Sequence, residues 1–203
     1  MRILIIGAGG VGSSAALIAA RRDFYEHIVI ADYDGDRARA LADRIGDDRF
    51  SAIQIDASDA QAVAQACREH QITHVLNVVD PRFVMSIFEG AFLAGADYLD
   101  TAMSLSSKHP EKPHELTGVK LGDDQFAMAD AWEDKGRLAL VGIGVEPGMV
   151  DVFARYAADH LFSEIDELGV RDASDLVVHG YEFAPSFSIW TVIEECLNPP
   201  VIW

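Results

Sequence analysis

A glycine-rich turn near the N-terminus constrains the fold of this chain more than any other feature. The apolar run RILII (2–6) reads as a buried strand, and GAGGVG (7–12) follows it directly, before a helix-like segment. The pattern GxGxxG between a strand and a helix is typical of dinucleotide-binding folds. Gly7 permits the tight turn, Gly9 lets the backbone approach a pyrophosphate, and Gly12 lets the helix pack closely on the strand.

Strand-like and helix-like segments alternate through the first 147 residues. The predicted strands are 2–6, 27–32, 50–56, 74–79, 97–101 and 138–143, and the predicted helices are 11–22, 36–45, 59–69, 82–94 and 123–135. Nearly continuous apolar strands joined by helices predict a parallel sheet covered on both faces. We therefore predict an α/β fold, a Rossmann-type doubly wound parallel sheet.

The pattern changes after residue 148. A predicted helix at 149–161 leads to strand-like runs at 165–170 and 176–178 and to a short helix at 191–197. We predict a nucleotide-binding domain at 1–147, followed at 148–203 by part of a second, α+β unit. Within the first domain, the polar segment 103–122 is long for a connection, and it is either a surface excursion or a lid.

Composition narrows the possible partners. The chain has 33 acidic and 16 basic residues and a formal net charge of −17, which disfavours nucleic acids and anionic membranes as partners. Its two cysteines are isolated and its seven histidines show no ligand-like spacing, so we predict no metal site. With no signal-peptide pattern and no long apolar run, we expect a cytoplasmic protein.

Asp32 is the candidate determinant of cofactor choice. It ends the second predicted strand twenty residues after Gly12, where a carboxylate accepts hydrogen bonds from the adenosine ribose hydroxyls. A carboxylate there repels a 2′-phosphate, so the cofactor is NAD(P)(H) with NAD favoured. Arg37 and Arg39 follow closely, and either guanidinium could still contact a 2′-phosphate.

Further polar residues lie at the ends of predicted strands. Asp56 either reaches the adenine or caps the next helix. Asn77 contacts the nicotinamide ribose or makes a simple buried hydrogen bond. The predicted cofactor-binding residues are Gly7, Ala8, Gly9, Gly10, Val11, Gly12, Asp32, Asp56, Ala57, Asn77, Val78, Val79 and Thr101.

The chain resembles the saccharopine dehydrogenase family, which includes saccharopine reductases and the carboxynorspermidine and homospermidine synthase relatives. The resemblance rests on LNVVDPRF with SIFEGAFLAGADYLDTA (76–102), GIGVEPGMVDVFARYAADHLFSEID (142–166) and YEFAPSFSIWTVIEECLNPPVIW (181–203). It implies hydride exchange between a nicotinamide cofactor and the CH–NH carbon of an amino-acid conjugate like saccharopine, as in lysine metabolism. The alternative is a polyamine conjugate, as in the carboxynorspermidine and homospermidine synthases. It also implies that 148–203 are the beginning of a substrate or dimerisation domain, that this chain ends inside that domain, and that the full-length protein is a homodimer.

An acidic turn, GIGVEPGMVD (142–151), is the most specific part of this resemblance. Glu146 leaves the last predicted strand at the carboxyl edge of the sheet, and Asp151 lies one helical turn later. With Asp100 they are the predicted catalytic residues, which would bind a substrate ammonium and stabilise an iminium. The structural alternative is that Glu146 is a first-turn acid favoured by the helix dipole and that Asp151 is a solvated helical residue. Tyr98 shares a face with Asp100 and is expected only to pack.

A function of another class is also open at this stage. Up to about residue 75, the glycine turn and the acidic second strand suit the nucleotide-binding regulatory modules of channels and transporters equally well. Such a module has no use for the acidic turn or for the segments that follow it.

Overall fold

A six-stranded parallel sheet organises the computed structural model, which describes residues 1–116, 118–171, 177–182, 184 and 189–197. The strand order is β3-β2-β1-β4-β5-β6. The strands are β1 Arg2–Ile6, β2 His27–Asp32, β3 Phe50–Gln54, β4 His74–Asn77, β5 Asp97–Asp100 and β6 Ala139–Leu140. The order reverses between β1 and β4, which is the arrangement of a dinucleotide-binding sheet, and the predicted Rossmann-type fold is confirmed.

The helices are α1 Gly10–Ala19, α2 Gly35–Ile45, α3 Ala60–Glu69, α4 Val84–Ala94, α5 Asp123–Phe126, α6 Ala129–Asp134, α7 Met149–His160 and α8 Ile189–Leu197, with a 3₁₀ turn at Pro81–Phe83. Asp34 caps α2 and Asp59 caps α3 through their carboxylates. No helix among the described residues is long and apolar enough to span a membrane.

The hydrophobic core lies on both faces of the sheet because successive strand residues point to opposite sides. Leu4 and Ile6 belong to a cluster that includes residues of α3 and α4, such as Phe88. Ile5 belongs to the opposite cluster, with Ala16 of α1 and residues of α2. The near-continuous apolar strands therefore pack against helices on both faces of the sheet, as their sequences predict.

Four predicted elements differ from the structure. The predicted helix at 123–135 is split into α5 and α6, and β6 has only two residues of the predicted 138–143. The strand predicted at 165–170 is wrong, because this segment is irregular and exposed and has no paired strand among the described residues. Of the run at 176–178, position 176 lies outside the described residues and the other two are not in a strand.

The segment 103–122 folds back on itself near both ends. Ser107 and Val119 form an antiparallel bridge, and the Gly122 N–H donates to the Ser104 carbonyl at 2.9 Å. Residues 110–116 are exposed. The segment is thus an excursion closed at its base, and its role as a lid stays a prediction.

Candidate functional site

The glycine turn, residues 7–12, lies at the carboxyl end of β1. Gly7 has φ +109°, a conformation that residues with a side chain rarely adopt, and its N–H donates to Ala31 at 2.8 Å. A Cβ atom placed on Gly12 would lie 1.7 Å from the Gly7 carbonyl oxygen. Helix α1 therefore packs directly on the turn, as predicted for a dinucleotide-binding motif.

Gly9 and Gly10 differ from Gly7 and Gly12 because the space around them is open. A Cβ atom on either would meet no atom within 4 Å, so the protein itself does not require glycine there for packing. No side chain caps α1, whose first N–H groups have no acceptor inside the helix. Gly9, Gly10 and Val11 are exposed at this helix N-terminus, and their contact with a pyrophosphate, which the helix N-terminus would stabilise, stays a prediction.

Asp32 supports this turn from β2. One carboxylate oxygen accepts the Ala8 N–H at 2.7 Å and the other accepts the Asp34 N–H at 2.9 Å. The Arg37 guanidinium lies 3.6 Å from the second oxygen. A carboxylate has about four lone-pair sites, so Asp32 keeps acceptor capacity for ribose hydroxyls.

Asp56 and Ala57 follow β3 at the same edge of the sheet. The exposed Asp56 carboxylate accepts the Ser58 hydroxyl at 2.6 Å and its N–H at 2.9 Å, and these hydrogen bonds lower the pKa of Asp56. Asp59 caps α3, so the capping role considered for Asp56 is wrong. The Ala57 carbonyl accepts the Ser86 hydroxyl at 2.6 Å. Contact between Asp56 and an adenine stays a prediction.

Asn77 closes β4 and is almost fully buried. Its amide donates to the Tyr98 hydroxyl at 2.9 Å and accepts the Val79 N–H at 3.2 Å. These contacts correspond to the buried hydrogen bond considered for Asn77. Val78 and Val79 lie against the glycine turn, because a Cβ on Gly7 would lie 2.7 Å from the Val79 side chain and 3.0 Å from the Val78 carbonyl oxygen.

Asp100 has no exposed surface, and its carboxylate accepts hydrogen bonds from two side chains and one backbone N–H. The Tyr98 hydroxyl and the Gln125 amide each donate to one carboxylate oxygen at 2.8 Å, and the Gly142 N–H donates to the other at 2.6 Å. Burial raises the pKa of Asp100, and the three donors oppose that shift. The contacts are structural, so a direct catalytic role stays a prediction. Tyr98 does more than pack, contrary to our expectation.

Sequence reasoning missed Gln125, whose side chain is buried beneath the site. Its oxygen accepts the Ser104 N–H at 2.8 Å while its amide nitrogen donates to Asp100. The sequence predicts that Gln125 lies in a helix, but it does not predict that the side chain is buried. The available signal was Asp100 itself, because a carboxylate at the end of a buried strand requires donors.

The acidic turn is held close to the end of β5. The Ile143 N–H donates to the Asp100 carbonyl at 2.9 Å, and Gly144 packs on the backbone of the half-buried Thr101. Within the turn, the Gly144 N–H donates to Pro147 at 2.9 Å, and the Glu146–Pro147 peptide bond is cis. The hydrogen bond from Gly144 to Pro147 therefore closes the turn internally.

The two acids of this turn have different surroundings. Asp151 accepts the Gly148 N–H at 2.9 Å and completes the cap of α7. Glu146 is exposed, and no other side chain in the described part of the chain pairs with it. Asp151 is thus bonded into the helix cap, which differs from the solvated helical residue considered for it, while Glu146 is available to a ligand. A part for either in catalysis stays a prediction.

Known proteins match this chain over its nucleotide-binding region and beyond. Residues 3–140 match the family model described as the saccharopine dehydrogenase NADP binding domain. The whole chain is 33% identical to half of carboxynorspermidine synthase from Vibrio cholerae, and 92% of it is 29% identical to 45% of carboxyaminopropylagmatine dehydrogenase from Synechocystis sp.. The chain therefore spans about half the length of these curated relatives.

Solved structures share the fold at low sequence identity. Saccharopine dehydrogenase (L-Glu forming) from Saccharomyces cerevisiae has a TM-score of 0.60 at 19% identity, covering 79% of this chain and 31% of that protein. UDP-glucose-4-epimerase from Stenotrophomonas maltophila, solved with bound NAD, has a TM-score of 0.50 at 18% identity, covering 70% and 52%. These likenesses show the fold alone.

Proposed function

Because the chain belongs to the saccharopine dehydrogenase family through its NADP-binding domain, we propose that it serves an NAD(P)-dependent oxidoreductase acting on the CH–NH bond of an amino-acid conjugate. The observation that carries the proposal is the arrangement at one sheet edge. The open backbone of Gly9 and Gly10 lies beside Asp32, and the acidic turn follows the sixth strand of the same parallel sheet.

The bound cofactor supplies a hydride donor or acceptor at its nicotinamide carbon. The protein's own part is to bind and orient. Glu146 binds the cationic nitrogen of the substrate, because an exposed carboxylate without a partner side chain in the described chain attracts an ammonium or iminium group. Asp151 assists indirectly, since its bond to Gly148 holds the end of the acidic turn. Asp100 supports the start of the turn.

For the cofactor, we propose a preference for NAD over NADP. The Asp32 carboxylate lies beside the expected ribose position and repels a 2′-phosphate. Arg37, 3.6 Å from that carboxylate, works in the opposite direction because it reduces the local negative charge. The ratio of the affinities for NADH and NADPH measures whether Asp32 or Arg37 has the larger effect on cofactor choice.

The amine of the conjugate has two candidate identities. A saccharopine-like substrate is a conjugate of two amino acids, whereas a carboxynorspermidine-like substrate carries a polyamine. The names of the two curated relatives favour the polyamine candidate. The formal net charge of −17 also favours it, because a strongly negative surface attracts a polycation.

We propose the domain organisation, the location and the oligomeric state on the same basis. Residues 1–147 form the NAD(P)-binding domain, and 148–203 begin the domain that completes the substrate site and the homodimer. A cytoplasmic location suits an enzyme of amino-acid metabolism that uses NAD(P). Light scattering of the purified full-length protein would measure the oligomeric state, and a monomer at micromolar concentration would contradict the dimer.

The decisive assay follows NAD(P)H absorbance with saccharopine and with carboxynorspermidine as separate substrates. Turnover of one and not the other identifies the amine. Glu146→Gln is expected to lower kcat/KM at least tenfold, whereas Glu133→Gln, on α6, serves as a surface control and leaves it unchanged. Cofactor binding by the full-length protein without turnover of either substrate would contradict the enzyme and favour a regulatory nucleotide-binding module.

A further inference from the structure

Four polar side chains form a connected cluster beneath the proposed site. This buried tetrad consists of Asn77, Tyr98, Asp100 and Gln125, each no more than 2% exposed. Asn77 donates to Tyr98, and Tyr98 and Gln125 both donate to Asp100, at 2.8–2.9 Å. The tetrad therefore joins three segments of the chain, β4, β5 and α5, through side chains alone.

Each end of the buried tetrad also holds a loop at the carboxyl edge of the sheet. Asn77 accepts the Val79 N–H, next to the glycine turn, and Gln125 accepts the Ser104 N–H, at the base of the excursion. Asp100 accepts the Gly142 N–H through its side chain and the Ile143 N–H through its carbonyl. One network thus contacts the cofactor side and the acidic turn.

The buried carboxylate of Asp100 indicates that the tetrad does more than stabilise the fold. Burial disfavours the charge of Asp100, and its pKa is raised even though three groups donate to it. Apolar side chains of similar volume often give equal or greater stability than a buried ionic group. A carboxylate with donors from three directions does specify one geometry, because displacement of any donor leaves a buried charge less well bonded.

We propose that Asp100 is a positioning residue, which sets the acidic turn relative to the dinucleotide pocket. This inference rests on the proposed function for its meaning in catalysis. Because the Gly144 N–H bonds to Pro147 and the Met149 N–H bonds to Gly144, we expect residues 144–149 to shift together. Release of Gly142 and Ile143 from Asp100 would therefore displace Glu146 without altering its own side chain.

The test uses a donor mismatch and its repair. Asp100→Asn keeps an oxygen for Gly142 but turns an amide N–H₂ toward the Gln125 amide, so that two donors face each other. Adding Gln125→Glu restores an acceptor for that amide and keeps one for the Ser104 N–H. Asp97→Asn is the matched control. Asp97 lies on the same strand and accepts the Leu138 N–H at 3.0 Å, but at the opposite edge of the sheet.

Hydrogen exchange of the backbone amides of Gly142, Ile143 and Gly144 is the first readout. We expect at least tenfold faster exchange in Asp100→Asn, partial recovery in the double variant, and no change in Asp97→Asn. If Asp100→Asn does not fold, Tyr98→Phe removes one donor to Asp100 and is expected to give a smaller increase. Unchanged exchange in the folded Asp100 or Tyr98 variant, or equal acceleration in Asp97→Asn, would overturn the inference.

Cofactor affinity separates this inference from the proposed function. We expect NADH to bind Asp100→Asn within about threefold of the unaltered chain, because the glycine turn keeps its own contacts. Absence of NADH and NADPH binding by the unaltered chain would overturn the proposed function. The exchange comparison needs no cofactor, and it would still decide whether Asp100 holds the turn.

Discussion

Two glycines of the turn are predicted to respond in opposite ways to the same added methyl group. In Gly12→Ala, the new Cβ would lie 1.7 Å from the Gly7 carbonyl oxygen, whereas real Cβ atoms essentially never come within 3.0 Å. Helix α1 must therefore move by about 1.3 Å, and overpacking of this kind lowers the free energy of unfolding by about 1–3 kcal/mol. We expect a lower Tm and loss of dinucleotide binding.

Gly9→Ala is the matched variant, because its Cβ would meet no protein atom within 4 Å. The backbone of Gly9, at φ −76° and ψ −161°, is also open to alanine. We expect a free energy of unfolding within about 1 kcal/mol of the unaltered chain, because only a modest preference at the helix start changes. The methyl group instead occupies space that a pyrophosphate needs, so dinucleotide affinity should fall at least tenfold, which is about 1.4 kcal/mol.

Thermal unfolding by circular dichroism and titration of dinucleotide fluorescence measure the two effects separately. The reasoning requires that Gly12→Ala loses stability and that Gly9→Ala loses affinity alone. If Gly9→Ala melts as early as Gly12→Ala, or if it binds the dinucleotide as well as the unaltered chain does, the assignment of this turn to a pyrophosphate is refuted.

Other predictions concern stability and reactivity. Burial raises the pKa of the Cys67 thiol to about 12, so a thiol-reactive reagent at neutral pH should label the exposed Cys196 and spare Cys67 in the folded chain; labelling of Cys196→Ser at the original rate would contradict this. Asp151→Ala should lower the free energy of unfolding by about 0.5–2 kcal/mol because the Gly148 N–H loses its acceptor, and an unchanged melting curve would oppose the capping role. Hydrogen bonds from Arg49 lower the pKa of Asp47, so the stabilisation they give is present above the unfolded pKa, near 3.8, and disappears as the pH falls through the folded value. The Tm difference between the unaltered chain and Asp47→Asn should therefore shrink on acidification, and a difference that grows below pH 4 would show the reverse sign.

The local features of the cofactor site could be predicted from the sequence. GAGGVG between a strand and a helix requires a particular backbone, and the structure gives Gly7 and Gly12 the positions that this pattern predicts. Asp32 follows at the expected distance and contacts the turn through Ala8. These features depend on residues that are neighbours in sequence or on adjacent strands, so short-range patterns carry them.

The support beneath the acidic turn could not be predicted in the same way. Gln125 reaches Asp100 across 25 positions of sequence, from a helix whose break at Ala127–Met128 no periodicity indicated. The strand predicted at 165–170 failed for a related reason, since alternating hydrophobicity does not supply a pairing partner. Both features depend on how distant segments meet, and a single sequence does not record that.

Titration of the unaltered chain with NADH and with NADPH tests the central claim most directly. We predict saturable binding of both dinucleotides with NADH the tighter, and Asp32→Ala should weaken NADH while relieving the repulsion of NADPH. Tighter binding of NADPH would contradict the role of Asp32 in cofactor choice. Absence of saturable binding of either dinucleotide would contradict the assignment of the glycine turn as a nicotinamide cofactor site.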